Sequence, residues 1–573
     1  MMLLLEQTTK TATTITIVLL YTSCAVMCLN WETISIADIQ EELRIGRTSC
    51  ASLIQKFLHR IDQHDPQLNA IMLKSPLAMA DAKDRDRVWN QTGALVGPLH
   101  CVPLLPKDSM DVAGIPTSLG LIALNGSIPN MHAAAVQRLM AAGAVVLGKA
   151  NMATMDSESM KSSSDLSATV RNPYNLKRTT YGSSGGNGAA GAAALTVVGL
   201  ATDIGGSLIL PASATGLIGF RPTTGTIDTT GVFPVDKLMD AIGPMVRWAA
   251  DLSVVMSVLD PEGNYTVPAN ANLTGIHITA LSQFALAGFQ YSSEESGAEL
   301  QFTVQKDVTE MIQRALQQLK TVGASVTTRK IDVNQLIQGI ENMVAASRMA
   351  QACIPKWIDE YFSSRIRFSP SRPFHSFEDL VDSPELLPEI KANLQTAGNL
   401  RNDCESAVSS FGEERKLFVA QVEENLFDST SDILLYPAFG RLPPLLNEQH
   451  MESQFSPSVI SAYAGYPSLT LPIGFSWPRN EDDGQQISGG ERMPFSVILL
   501  AKPDQMDLLV RVANVYQRQF GMVVLPASVS GPSSMPSSPS MSVSIHNCVQ
   551  LQLFAVMSSV FALFLCNCSV MLF

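Results

Sequence analysis

The sequence has few charged residues and no basic clusters. Asp, Glu, Lys and Arg make up 16% of its 573 residues, and the net charge is −13; an average soluble protein has about 25% charged residues. Phosphate binding needs clustered Lys and Arg, so this composition argues against nucleic acid as a partner. The eight histidines are scattered without an H-E-x-x-H motif, and no Cys and His spacing suggests a zinc site. The sequence therefore predicts no metal.

The sequence does contain enough apolar residues for a large core. Hydrophobic residues make up 46% of the chain, and helical patterns alternate with short apolar segments typical of strands. One example is a predicted helix from His132 to Ala142, stopped by Gly143 and followed by a predicted strand, Ala144 to Leu147. We also predict a helix from Ile36 to Leu43 capped by Ser35, an amphipathic helix that begins at Thr48, and an alanine-rich helix after Asn187 that reaches Val198. No internal repeat or long linker interrupts residues 31–525. We predict one large α/β domain over that range.

The N-terminus has the features of a secretory signal. Lys10 precedes an apolar run that starts at Ile15 and ends near Cys28, too short to span a bilayer comfortably. We expect residues 1–28 to be a signal peptide cleaved between Ala25 and Leu29. Glu6 weakens the positive charge at the start of the segment, so an uncleaved anchor is the alternative.

The C-terminus has the features of a lipid attachment signal. Residues 526–546 form a Ser/Pro-rich linker, and residues 547–573 form a hydrophobic tail without a basic flank. This order fits a glycolipid anchor signal with an attachment site between Ser530 and Ser540. A C-terminal membrane helix is the alternative. The expected location is extracellular or at the cell surface, with the membrane contacted through this anchor.

Other features fit the secretory route. Four N-x-[ST] triplets in the predicted domain could accept glycans; their asparagines are Asn90, Asn125, Asn264 and Asn272. Four cysteines lie in the predicted domain, and they are Cys50, Cys101, Cys353 and Cys404. An even number in an oxidising compartment permits disulfides without fixing the pairing. Buried free thiols are the alternative.

The segment from Gly182 to Pro211 carries the chemistry. It joins two clusters of serine and glycine, and Ser207 follows Ser183 by 24 residues. Glycines allow close backbone approach to a substrate and let successive amides converge beside a hydroxyl group. A serine with converging N–H donors is typical of acyl transfer.

Two other motifs overlap the same glycines. Residues 182–186 fit G-x-S-x-G, which would make Ser184 the nucleophile of an α/β-hydrolase elbow. Residues 186–191 fit the dinucleotide motif G-x-G-x-x-G. Both motifs should follow a hydrophobic strand, whereas the preceding segment, Asn175 to Tyr181, is largely polar.

Several segments together resemble the amidase signature family. They are Gly93 to Pro116, Gly182 to Pro211, Gly219 to Gly225, Ile242 to Arg247 and Tyr466 to Pro472. Their order and spacing match as well as their residues, and the resemblance is strongest from Gly93 to Arg247. It implies the amidase signature fold, with a mixed β-sheet core flanked by helices, and hydrolysis of small linear amides without a cofactor. The region from about residue 270 to 448 matches weakly, and such a region shapes the substrate pocket in this family.

The resemblance also implies a Ser–Ser–Lys triad. Ser207 would be the nucleophile, Ser183 the proton relay and Lys107 the base, with a cis peptide bond between Gly182 and Ser183. The amides of an oxyanion hole would come from Ile204, Gly205, Gly206 and Ser207. Supporting roles would fall to Ser184, Thr202 and Asp203.

Lysine as a base requires a particular environment. Lysine is almost wholly protonated at neutral pH, so Lys107 could accept a proton only where burial or hydrogen bonding favours the neutral amine. The apolar segment Val102 to Pro106 could supply that burial. A catalytically silent binding protein on the same scaffold is a further alternative, although all three triad positions are occupied.

One position departs from the common family pattern. Many members have arginine two positions after the nucleophile, where this chain has Ile209. Substrate inferences from members with the arginine therefore do not transfer. A role in tRNA-linked amide transfer is further disfavoured by the secretory features and the acidic charge. Oligomeric state and the identity of the acyl and amine groups are not predicted.

Overall fold

The computed structural model describes residues 32–292, 299–368, 374–448, 455–476, 491–521 and 523–529. The predicted signal peptide and hydrophobic tail lie outside the described residues, as does most of the predicted linker. Residues 526–529 of that linker are described, and they pack on the domain: Gln67 Nε2 donates to the Ser528 carbonyl at 2.9 Å. No helix among the described residues is long and apolar enough to cross a bilayer.

Helices alternate with strands along the described chain. The α-helices, α1 to α15 in order, are Ile36–Arg44, Cys50–Leu68, Ala78–Thr92, Ala134–Ala141, Gly185–Ala192, Ile209–Ala214, Ala249–Leu259, Lys306–Thr321, Val333–Ala350, Ile354–Arg365, Phe377–Asp382, Pro388–Asn399, Cys404–Asn425, Val459–Ala464 and Met506–Phe520. The strands, β1 to β16 in order, are Ile71–Lys74, Pro103–Pro106, Ser127–Pro129, Val145–Val146, Gly148–Ala150, Val198–Asp203, Ile218–Arg221, Ala241–Val246, His277–Leu281, Phe289–Ser292, Glu299–Phe302, Ser325–Arg329, Ile366–Phe368, Ile433–Pro437, Ser468–Ser476 and Met493–Ala501.

A ten-stranded mixed sheet forms the centre of the domain. Its strand order is β12-β9-β14-β16-β15-β7-β8-β6-β2-β4. Strand β2 runs parallel to β6 and β4, whereas β6 and β8 pair antiparallel. The strands nearest the active site are buried along their whole length, as expected for a sheet covered on both faces. The predicted α/β domain with a mixed sheet is confirmed.

Capping and packing explain where the first helices begin. Ser35 forms a capping box with Asp38 at the start of α1. Ser49 caps α2, whose buried face includes Leu53 and Phe57 at helical spacing. The predicted amphipathic helix from residue 48 therefore begins two residues later than expected.

One predicted helix is shorter in the structure. The alanine-rich pattern indicated a helix up to Val198, but α5 ends at Ala192 and Val198 begins strand β6. The helix ends in a Schellman turn: Ala194 has φ +53°, and the amides of Ala194 and Leu195 donate back to the carbonyls of Gly191 at 3.2 Å and Ala190 at 2.9 Å. Arg247 Nη1 also donates to the Gly191 carbonyl at 2.6 Å.

The four cysteines of the domain form two disulfides. Cys50 pairs with Cys101, and Cys353 pairs with Cys404. The first joins the start of α2 to the segment before β2, and the second joins the helices of the weakly matching region. The sequence did not distinguish between free thiols and disulfides and did not predict the pairing. The structure has two disulfides with these pairs.

Candidate active site

Ser207 lies in the loop between strand β6 and helix α6. The Asp203 carboxylate shapes this loop, accepting backbone hydrogen bonds from Gly206 at 2.8 Å, Leu208 at 2.9 Å and Ile209 at 3.2 Å. Arg221 Nη1 lies 3.1 Å from Asp203 Oδ1, and both side chains are fully buried. Asp203 therefore holds the backbone on both sides of Ser207, which is the orienting role that the resemblance implies.

The nucleophile loop requires glycine at position 206. Gly206 has φ +107°, a region that L side chains rarely adopt, and an added Cβ would lie 2.4 Å from Ser458 Oγ. Its amide donates to Asp203 and so already has an acceptor. Among the described residues, the other three amides predicted to form the oxyanion hole donate no hydrogen bond; they are those of Ile204, Gly205 and Ser207. These three remain the predicted donors to a substrate oxyanion.

Ser183 lies in a second loop, just before helix α5. The peptide bond between Gly182 and Ser183 is cis, as the resemblance implies. Ser162 holds this loop, since its Oγ donates to the carbonyls of Tyr181 at 3.1 Å and Ser183 at 3.0 Å and accepts from the Gly185 amide at 2.9 Å. Sequence reasoning missed Ser162, and its place in a run of three serines gave no distinguishing signal.

Lys107 follows strand β2 and is completely buried. Its backbone amide donates to the Leu200 carbonyl of β6 at 2.8 Å. Its Nζ donates to Ser183 Oγ at 2.7 Å and to Thr202 Oγ1 at 2.8 Å. The structure thus brings together two of the three predicted triad members and one predicted supporting residue.

A carboxylate that the sequence did not predict completes this cluster. Asp156 contacts Lys107 Nζ and also accepts a hydrogen bond from Ser183 Oγ. Its side chain is 4% exposed. No motif marked this residue, because it lies 49 positions from Lys107 in sequence and meets it only through the fold.

The two serine loops lie side by side. The Ser184 amide donates to the Ser207 carbonyl at 3.1 Å, and Ser184 Oγ donates to the Thr202 carbonyl at 3.2 Å. Ser207 is 8% exposed. In the part of the chain described, no hydrogen bond joins Ser207 Oγ to Ser183 Oγ, so the relay contact between them remains a prediction.

The motifs G-x-S-x-G and G-x-G-x-x-G do not follow a β-strand in the structure, as their proposed functions require. Residues 175–181 form no strand, so Ser184 does not lie in a strand-to-helix elbow. Gly186, Gly188 and Gly191 lie inside helix α5, whereas a dinucleotide fingerprint needs them in the turn before the helix. At Gly186 an added Cβ would lie 2.2 Å from the Asn151 carbonyl, so close packing accounts for that glycine.

A second acidic side chain lies near the cluster. Burial raises the pKa of Asp240 well above its usual value, and the charge of Asp156 raises it further. Its Oδ1 has no hydrogen-bond partner, which fits a neutral carboxyl group. Among the residues described, no group of three His, Cys, Asp or Glu side chains offers a metal-binding set.

The fold and the arrangement around Lys107 are those of a hydrolase that transfers acyl groups. A buried lysine contacts a serine, and a glycine-rich loop presents a further serine with amides that can stabilise an oxyanion.

Comparison with known proteins identifies the family. The sequence matches the Amidase family over residues 52–509. It is 35% identical over 513 residues to a glutamyl-tRNA(Gln) amidotransferase subunit of Pseudomonas aeruginosa, covering 85% of this chain and 97% of that protein. The native peptide amidase of Stenotrophomonas maltophilia has a TM-score of 0.67 and 27% identity, over 87% of this chain and 99% of the amidase.

A more distant structure shares the fold. The 6-aminohexanoate cyclic dimer hydrolase has a TM-score of 0.65 at 21% identity and covers 88% of this chain and all of its own. The chain belongs to the amidase signature family and is a hydrolase acting on amide C–N bonds.

Proposed function

We propose that the protein is a secreted, surface-anchored amidase that hydrolyses linear carboxylic amides through an acyl-enzyme on Ser207. The contact between Lys107 Nζ and Ser183 Oγ, beside the Ser207 loop, carries this proposal. It supplies a buried polar group through which the nucleophile can lose its proton. The substrate is a small amide.

The reaction has two halves. Ser207 Oγ attacks the amide carbonyl, its proton leaves through Ser183, and the carbonyl oxygen becomes an oxyanion. The C–N bond then breaks as the amine takes a proton, and water hydrolyses the acyl-enzyme by the same route. The amides of Ile204, Gly205 and Ser207 stabilise the oxyanion, each contributing about 3 kcal/mol in comparable enzymes.

Residue 209 supports a substrate without an anionic group beside the nucleophile. Ile209 is completely buried, and it occupies the position where many family members have arginine. This side chain offers no charge or hydrogen bond to a substrate. We therefore propose neutral amides rather than substrates that an arginine would anchor.

The described residues support the secretory location. Two disulfides fit an oxidising compartment. All four asparagines of the N-x-[ST] triplets are exposed, as glycan attachment requires. We propose that these sites are glycosylated and that a glycolipid replaces the hydrophobic tail.

A serine-reactive fluorophosphonate probe tests the proposed nucleophile. Peptide mapping should find the label on Ser207, and Ser207→Ala should abolish it. Ser184→Ala is the matched control, because Ser184 is a neighbouring serine whose Oγ is already bonded to a carbonyl. Label lost in Ser184→Ala but kept in Ser207→Ala would instead support the elbow, and an unlabelled, inactive protein would support a silent binding role.

A further inference from the structure

Tyr181 has a backbone conformation that suits glycine. It lies two positions before Ser183, and its φ is +59°, a left-handed value that is an outlier for a bulky residue. Glycine would adopt this φ without strain. Residues keep such conformations only where surrounding contacts hold them, and these residues cluster at functional sites. The strain therefore indicates that the side chain of Tyr181 has a role beside the relay serine.

The ring of Tyr181, and not its hydroxyl group, makes the contacts. The ring stacks on Phe439 with 4.3 Å between the ring centroids and 22° between the ring planes. Both side chains are buried. Tyr181 Oη has no hydrogen-bond partner among the described residues, and a buried hydroxyl group without a partner costs free energy. The stack on Phe439 is thus the contact that this tyrosine provides.

Phe439 belongs to a segment that is fastened to the relay loop. This segment, residues 438–448, follows strand β14, and we call it the bridging segment. The Thr179 amide donates to the Pro444 carbonyl at 3.0 Å, and the Leu446 amide donates to the Lys177 carbonyl at 2.8 Å. These bonds and the aromatic stack join the bridging segment to the chain just before Ser183.

The same segment is held against the nucleophile loop. Ser456 Oγ donates to the Ala438 carbonyl at 2.8 Å and lies 3.0 Å from Ser458 Oγ. Ser458 Oγ is so close to the nucleophile loop that a Cβ added at Gly206 would lie 2.4 Å from it. The bridging segment is therefore connected to the residue before Ser207 as well as to the relay loop.

We propose that the bridging segment sets the separation of the two serine hydroxyl groups, and that Phe439 is a positioning residue that acts through the ring of Tyr181. The inference rests on the proposed acyl-enzyme function. Proton passage from Ser207 to Ser183 requires their oxygens to come within hydrogen-bond distance. A segment fastened to both loops fixes how closely they approach, and the aromatic stack holds the relay loop in its strained conformation.

The test compares Phe439→Leu with Phe57→Leu in the full-length protein. Both variants change a buried phenylalanine in the same way, but Phe57 lies on α2 in a different hydrophobic cluster. The kcat and KM are measured with the fastest substrate of a panel of fatty, aryl and short-chain amides. Phe439→Leu should reduce kcat and kcat/KM equally, by about 100-fold for a 1 Å displacement, and should slow fluorophosphonate labelling of Ser207. Phe57→Leu should keep the wild-type kcat.

Two changes at Tyr181 separate the ring from the hydroxyl group. Tyr181→Phe keeps the stack and should keep the wild-type rates, because Oη makes no hydrogen bond among the described residues. Tyr181→Gly relieves the backbone strain but removes the ring, so it should lose rate as Phe439→Leu does. The double variant Tyr181→Gly/Phe439→Leu should be no slower than the slower single variant, because both changes remove one shared contact.

Several outcomes would overturn the inference. A raised KM with unchanged kcat in Phe439→Leu would place Phe439 in the wall of the substrate pocket instead. A rate loss in Tyr181→Phe would assign the role to the hydroxyl group, and wild-type rates in Tyr181→Gly would show that the ring has none. Equal losses in Phe439→Leu and Phe57→Leu would show a general effect of core packing. A wild-type protein that is neither labelled at Ser207 nor active would instead remove the proposed function itself.

Discussion

The Asp203 carboxylate offers a sharp test of how the nucleophile loop is held. In Asp203→Asn the side chain keeps its size but loses its charge and replaces one acceptor with an N–H₂ donor. That donor would face backbone amides that now donate to Asp203, those of Gly206, Leu208 and Ile209. The change also leaves the buried guanidinium of Arg221 without its ion-pair partner.

The magnitude follows from these contacts. Removing one partner of a buried ion pair costs about 3–5 kcal/mol, and we expect the free energy of unfolding to fall by about that amount. A 1 Å displacement of the Ser207 hydroxyl would cost about 100-fold in rate. Denaturant unfolding followed by circular dichroism gives the first quantity, and the rate of fluorophosphonate labelling gives the second.

Asp240→Asn is the matched control for this measurement. Asp240 is also a buried carboxyl group, but its Oδ1 has no hydrogen-bond partner and burial raises its pKa well above the usual value, so its replacement should not lower the free energy of unfolding at neutral pH. The reasoning would be refuted if Asp203→Asn unfolded within about 1 kcal/mol of the wild type and labelled at the wild-type rate.

Three further predictions concern the triad, the pH dependence of stability and the anchor. Lys107→Ala and Ser183→Ala should each reduce amide turnover by several orders of magnitude. The double variant should be scarcely worse than the poorer single variant, because the effects of groups that act as a unit are not additive. Near-normal turnover in folded Lys107→Ala would contradict a mechanism that uses the Ser–Ser–Lys triad. Burial raises the pKa of Asp251 to about 7, so the folded state holds a proton that the unfolded chain loses near pH 4, and stability should fall as pH rises from about 4 to 7. Asp251→Asn should reduce that slope by up to about 1.4 kcal/mol per pH unit, and an unchanged slope in denaturant titrations would refute the assignment. Phosphatidylinositol-specific phospholipase should release the protein from cells, whereas continued attachment with peptides from residues 553–573 in the mature chain would show a peptide anchor.

Local patterns predicted the elements whose causes are local. The capping box of Ser35 and Asp38 and the apolar spacing of α2 depend on residues within one or two turns. Helix α5 instead ends in a turn at Ala194, which has positive φ although it is not glycine, and Arg247, 56 positions away, binds the Gly191 carbonyl there. A sequence pattern around Ala192 contains nothing of that interaction, so the helix was predicted too long.

The sequence by itself marked the candidate serines through their glycine-rich loops, and its resemblance to the amidase signature family marked Lys107, because both signals are carried by runs of neighbouring residues. The tertiary structure alone decided what surrounds them. Asp156 and Ser162 reach the site from the loop after β5 and Arg221 from strand β7, and the pairing of the four cysteines follows from which of them the fold brings together. Lys107 Nζ is faced by Asp156, Ser183 and Thr202. The sheet and loops bring these groups together from distant parts of the chain, so the surroundings of Lys107 are visible only in the three-dimensional structure.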